Sequence, residues 1–256
     1  MANVEIVSMK DNKATFTLKK STPGYANALR RIMLMEVPVM AIEDVEIRKN
    51  SSAMYDEVLS HRLGLLPFTT DLKSYELPKT KADVEEKNAK CTLEIVIKEK
   101  GPKTVYASDI KTKDPKVKPV FGKTPIVKLL KDQELELVAT AVMGIGKEHA
   151  KWSPGHVWYT YNPKIKIGKG KDFEKYKEIY PPQIFNKKGE IDEKLILEHE
   201  LVDAVAHVNE EVIKVEYDDT EFIFKVESWG QLAPKEIVSE ALNVFNAKLD
   251  ELNKKL

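Results

Sequence analysis

Short alternating runs, with one amphipathic helix near each end, give this chain its outline. Val4 and Ile6 alternate with polar neighbours, Asp11-Asn12 supplies a turn, and Ala14, Phe16 and Leu18 share one face of a return strand. Ser21-Thr22-Pro23 then opens a helix, with Thr22 as N-cap and Pro23 at the first helical position. Tyr25, Ala28, Leu29, Ile32 and Met33 recur along it at three- and four-residue spacings. Pro38 disfavours helical geometry at Val37, so the helix is expected to end near Glu36. Val39–Arg48 reads as extended, and a second helix is expected from about Tyr55 to Leu63, stopped by Gly64.

Beyond Pro67, strands are expected at Thr92–Lys98, Glu134–Val142 and His156–Ile167, the first two joined by a long Lys- and Pro-rich loop. Gly168–Asn209 has a different character: a Gly/Lys linker, two short helical patterns and an acidic excess. A last hairpin is expected from Val212–Tyr217 and Glu221–Glu227 around Asp218-Asp219-Thr220. The chain then ends in a helix that starts at Pro234. Val238, Leu242, Phe245, Leu249, Leu252 and Leu256 follow at spacings of 4, 3, 4, 3 and 4, an apolar heptad seam. Such a seam packs on the chain's own sheet or on a partner helix; its regularity to the last residue points to the partner.

Composition narrows the class. With 256 residues, 42% hydrophobic and 32% charged, the chain reads as soluble and globular with a full core. No apolar run spans a membrane, and Met1-Ala2-Asn3-Val4-Glu5 carries no secretory signal, so a cytoplasmic location is expected. Cys91 is the single cysteine, which rules out an internal disulfide framework and any cysteine-built zinc or iron–sulfur site. Arg occurs only at 30, 31, 48 and 62; abundant Lys and Glu fit a heat-adapted source. The net charge of zero hides two opposed stretches. Lys98–Lys131 holds ten Lys against Glu99, Asp109 and Asp114, while Glu190–Glu221 holds twelve carboxylates against Lys194 and Lys214. Opposed patches of this kind suit a protein docked among several partners.

Candidate chemistry is sparse. Glu57 and His61 lie four apart behind Asp56, but the zinc-protease pattern needs a second His where Leu65 stands, and first-turn carboxylates already suit the helix dipole. Gly144-Ile145-Gly146-Lys147-Glu148-His149 lacks the frame of a phosphate loop, and no nucleophile accompanies His149 or His156. Two rivals to a scaffold follow: a freestanding nucleic-acid-binding protein acting through Lys98–Lys131, and a metal-dependent hydrolase using Glu57, His61, Glu148 and His149.

Four segments carry a resemblance. Asn27-Ala28-Leu29-Arg30-Arg31-Ile32-Met33-Leu34, with Glu36-Val37-Pro38-Val39-Met40-Ala41-Ile42, resembles the signature of the RNA polymerase alpha-like subunits. Asn50-Ser51-Ser52 and Asp56-Glu57-Val58-Leu59-Ser60-His61-Arg62-Leu63-Gly64-Leu65-Leu66-Pro67 resemble the form in the larger alpha-like subunit of archaeal polymerase and the third-largest subunit of eukaryotic polymerase II. Gly146–Pro154 and Phe224–Gly230 are similar to later parts of the same family. The resemblance implies an α+β fold: a discontinuous dimerisation domain (1–50 with 210–256), an inserted mainly β domain (51–167), and a small ferredoxin-like module (168–209). It implies pairing with the small alpha-like subunit L, assembly with small subunits N and P and the two large subunits, no catalytic group, and DNA reached only through the complex. Arg30 and Arg31 are expected near a partner, with Leu29, Ile32 and Met33 joining Val238, Leu242, Phe245, Leu249 and Leu252 in the interface. Many archaeal relatives hold an iron–sulfur cluster in the small module; without cysteines there, none is expected here.

Overall fold

The computed structural model describes residues 3–168 and 177–256. Strands β1 (Asn3–Lys10) and β2 (Lys13–Lys19) form the opening hairpin, turned at Asp11 with a φ of 44°. Asp tolerates this left-handed geometry because its short side chain bonds locally. Helix α1 (Pro23–Met35) starts as expected: Thr22 Oγ1 accepts a hydrogen bond from the Tyr25 N–H at 3.3 Å, and the Thr22 carbonyl accepts from Ala26.

Strand β3 (Val39–Asn50) follows Pro38, and helix α2 (Asp56–Gly64) buries Leu59 and Leu63. The short α3 (Lys81–Glu85) is closed by a capping box between Thr80 and Asp83. Strands β4 (Thr92–Lys100), β5 (Lys103–Tyr106), β6 (Lys111–Thr112), β7 (Pro125–Leu129) and β8 (Glu134–Gly144) complete the middle of the chain. Sheet order β3-β8-β4-β6 is antiparallel in each pair, and β5 and β7 form a separate ribbon. Leu93, Ile95 and Ile97 lie opposite Ala141, Ala139 and Leu137, and this period-two face forms the main core with Leu59, Leu63 and Phe68.

The Lys- and Pro-rich stretch is therefore not a long loop. It contains β5, β6 and β7, and five of its lysines hold carboxylates: Lys98 with Glu136, Lys100 with Glu134, Lys103 with Glu99 and Asp109, Lys113 with Glu94, and Lys116 with Asp71. Two of these pairs are direct cross-strand neighbours, Lys98 opposite Glu136 and Lys100 opposite Glu134. Counting charge along the sequence overlooked carboxylates that pairing delivers from β4, β8 and the 71 region.

Strand β9 (Gly155–Ile167) precedes the small α4 (Glu193–Glu198) and α5 (Val202–Val205); β10 (Ile213–Ser228) and α6 (Pro234–Lys255) close the chain. The first sheet has the order β1-β2-β10-β9. The expected last hairpin is instead one strand. Lys166 reaches Glu216 at 2.6 Å, Lys164 reaches Asp218 at 2.7 Å, and Asn162 reaches Glu221 at 2.8 Å. Asp218-Asp219-Thr220 continues the strand rather than turning it, with Thr220 bonded through its N–H and hydroxyl to Asp218 Oδ1.

Packing divides the chain into two units, one of Met1–Glu5, Phe16–Ala26 and Tyr159–Ile223, the other of Ile6–Thr15, Asn27–Trp158 and Phe224–Leu256. The first has its own core of Ile165, Tyr180, Ile184, Ile196, Val205, Val212 and Ile213. The Gly/Lys linker read after Gly168 falls on 169–176, outside the described residues.

Candidate partner interface

Helix α6 begins with Pro234, whose missing N–H costs nothing at that position, and the Ala233 N–H donates to Glu236 Oε2 at 2.8 Å. Its buried stripe is Pro234, Ile237 and Ala241. Val238, Val244 and Phe245 are half-buried. From Leu242 onward the seam opens: Leu242 is 37% exposed, Leu249 44%, Leu252 52% and Leu256 95%. The helix therefore carries two apolar stripes one residue out of phase. Ile237 and Ala241, also four apart, were the inward signal that the heptad reading passed over.

Helix α1 behaves differently. Leu29, Ile32 and Met33 are interior in the isolated chain, and Ala26 with them. Their regular spacing marks the helix's inward face, so they offer no surface to a partner. Arg31 is exposed, and Arg30 is half-buried with Nε and Nη2 held by Asn27 Oδ1 at 3.3 and 3.0 Å. Of the ten residues expected at the interface, the open ones are Arg31, Leu242, Leu249 and Leu252, with Arg30, Val238 and Phe245 half-open.

The glycine-rich run after β8 is a packing device. A Cβ at Gly144 would lie 2.4 Å from the Trp152 ring, and one at Gly146 would lie 2.3 Å from the Leu34 carbonyl. Only bare backbone fits at either point. The Lys147 N–H donates to the Met35 carbonyl at 2.8 Å, tying this loop to the end of α1. Trp152 Nε1 donates to the Val142 carbonyl, and the Lys151 ammonium lies over the Trp152 ring while pairing with Glu43. His149 Nδ1 accepts from the Lys151 N–H at 3.1 Å and so caps the short turn Ala150–Trp152.

Glu57 and His61, on exposed positions of α2, are not joined there by a third ligand: among the described residues, no three His, Cys, Asp or Glu side chains lie close enough to hold a metal ion. No helix among them is long and apolar enough to cross a membrane. Cys91 is 2% exposed, and burial pushes its thiol pKa up.

Comparison with known proteins decides the family. Residues 45–155 match the RNA polymerase Rpb3/RpoA insert domain. The chain is 37% identical over 265 residues to DNA-directed RNA polymerase subunit Rpo3 of Methanosphaera stadtmanae, covering 98% of this chain and 97% of that one. It belongs to the Rpo3 family of DNA-directed RNA polymerase subunits. Rpo3 subunits of Methanothermobacter thermautotrophicus (34% identical; 98% and 97% covered) and Pyrococcus furiosus (36%; 96% and 94%) are similar over the same extent. Within this Rpo3-family chain the matched insert domain runs from mid-β3 through the Trp152 turn, and α1 and α6 lie outside it.

Proposed function

We propose that the chain is a non-catalytic scaffold subunit of a DNA-directed RNA polymerase, pairing with a small alpha-like subunit (L) and nucleating assembly of the enzyme. The observation that carries this is the open stripe Leu242, Leu249 and Leu252 on a 22-residue helix, continued by Leu256 just past its end. Leucines repeating at seven-, three- and four-residue steps suit a second helix laid alongside. Arg31 and Arg30 sit on α1 as rim groups for carboxylates of L or a large subunit.

In this reading, residues 1–50 with 210–256 form the dimerisation domain, 51–167 the insert, and 168–209 a ferredoxin-like module that keeps its fold by packing. Tyr180, Ile184, Ile196 and Val205 provide that packing in place of a cluster. Subunits N and P and the two large subunits dock on the resulting dimer, DNA is met only through the complex, and the site of action is the cytoplasm. The freestanding nucleic-acid reading is weakened by the lysines already held by carboxylates. Co-purification from native cells followed by mass spectrometry tests the proposal. The two large polymerase subunits and L are expected in stoichiometric amounts; their absence would overturn it.

A further inference from the structure

Between Tyr75 and Cys91 the chain makes an excursion whose two ends are held. The Tyr75 hydroxyl donates to Asp114 Oδ2 at 2.9 Å, and the Cys91 carbonyl accepts from the Met143 N–H of β8 at 3.0 Å. The Glu76 N–H donates to the Lys90 carbonyl at 2.8 Å and closes the base. Inside that base the bonding is self-contained. Asp83 Oδ2 accepts from the N–H groups of Lys79 and Thr80, and Thr80 Oγ1 accepts in return from the Asp83 N–H at 3.3 Å. Helix α3 ends with the Lys87 N–H on the Val84 carbonyl and the Asn88 N–H on the Asp83 carbonyl. Among the described residues, no hydrogen bond or ion pair of residues 77–89 reaches beyond residues 77–92.

The segment also packs lightly. None of residues 77–90 is buried; Pro78, Asp83 and Val84 are half-buried, and Leu77 is exposed. A cavity of about 520 Å³ separates Thr80, Val84 and Glu85 from Asp44, Val142 and Trp152. A second, of about 370 Å³, lies between Lys87 and Ala89 on one side and Glu94 and Thr140 on the other. Lys87 takes a φ of 52°, a left-handed position where glycine is usual, which weakens the turn further. A five-residue helix is marginal by itself. Held by its own short turns and little apolar contact, the segment can melt without drawing on the sheet.

We infer that residues 77–90 are a lid that opens by local unfolding, hinged at the Glu76–Lys90 bond, while strands β3, β8 and β4 stay paired. Cys91 reports the lid's state. Its Sγ donates to the Asn88 and Asp83 carbonyls at 3.5 and 3.7 Å, so the closed lid covers the thiol. Opening breaks both contacts, frees the Thr92 hydroxyl from the Asn88 carbonyl and uncovers this end of the sheet.

The test is alkylation of Cys91 in the full-length chain under native conditions, read beside hydrogen exchange by mass spectrometry. Labelling is expected to be slow, yet faster than global unfolding allows, and the amides of 83–88 are expected to exchange ahead of those of β4 and β8. Thr80→Ala removes half of the capping box and is expected to speed labelling about fivefold. Ile95→Val weakens the sheet from a fully buried position and is expected to leave the labelling rate unchanged. Labelling that quickens with Ile95→Val and ignores Thr80→Ala would overturn the inference, because the thiol would then be reached only through global unfolding. Exchange of 83–88 in step with the sheet would overturn it as well.

Discussion

Lys248 on α6 places its ammonium 2.5 Å from the Glu36 carboxylate at the end of α1, joining residues 212 positions apart in sequence. The contact lies between Leu242 and Leu249, within the open leucine stripe of α6, and holds that stretch of the helix to the end of α1. Both side chains keep solvent access, at 49% and 23%, so the pair orients more than it stabilises.

A double-mutant cycle with Lys248→Ala and Glu36→Gln should therefore give a coupling of only about 0.2–1 kcal/mol, measured by urea unfolding. A coupling several times larger would mean that this contact is a main fastening of α6, contrary to the account.

Gly144→Ala should destabilise the protein by about 1–3 kcal/mol, because the new methyl group enters the space of the Trp152 ring. A thermal melt reads the loss, and tryptophan fluorescence should shift as the indole is displaced. An unchanged melt would contradict the packing role given to the glycine-rich run.

These contacts mark what the sequence alone conveyed. The opening hairpin, the Thr22 cap, the β3, β4 and β8 strands and the terminal helix were legible because local chemistry decides them. The unbroken run of β10 through Asp218–Thr220 was not, since Asp-Asp-Thr has turn chemistry whether or not its neighbours pair. Strands β5, β6 and β7 were hidden because they are short and set among lysines and prolines, which have loop chemistry until the strands pair. Periodicity found both terminal helices, but it could not tell that Leu29 and Met33 face inward while Leu249 and Leu252 face out. That distinction depends on where the rest of the chain lies.

Stability should depend on pH through Asp71. Its carboxylate accepts from Lys116 Nζ at 2.6 Å, the Ser74 hydroxyl at 2.7 Å and the Lys73 N–H at 3.0 Å. The Lys116 contact, then Ser74 and Lys73, hold its pKa well below the usual carboxylate range. A depressed folded pKa gives stability that is present above the unfolded value of roughly 4 and is lost as pH falls through the folded value. Asp71→Asn should melt below the parent protein at pH 7, and the two melts should converge as the pH drops below about 4. A constant gap down to pH 2 would exclude this role.

The native chain should resist thiol reagents at Cys91, buried and with its thiol pKa raised, and should react within the mixing time once unfolded. The same preparation should show no iron-dependent visible absorbance and no stoichiometric zinc after dialysis. Rapid native labelling would mean that the core around Cys91 opens readily; an iron band would mean that the chain holds iron by other ligands.

The most direct test of the scaffold account is assembly with the small alpha-like subunit when the open stripe carries charge. Leu249→Asp combined with Leu252→Asp changes residues that are exposed in the isolated chain, so circular dichroism should report an unchanged fold. Ser239→Ala, on the same helix but outside the open leucine stripe, is the control. Two carboxylates forced unpaired into a buried helix contact should cost about 3 kcal/mol or more, over a hundredfold in affinity. Co-expression and pull-down should recover the partner with the control and lose it with the double variant. Equal recovery of the partner by both, with the fold intact, would contradict pairing through the terminal helix.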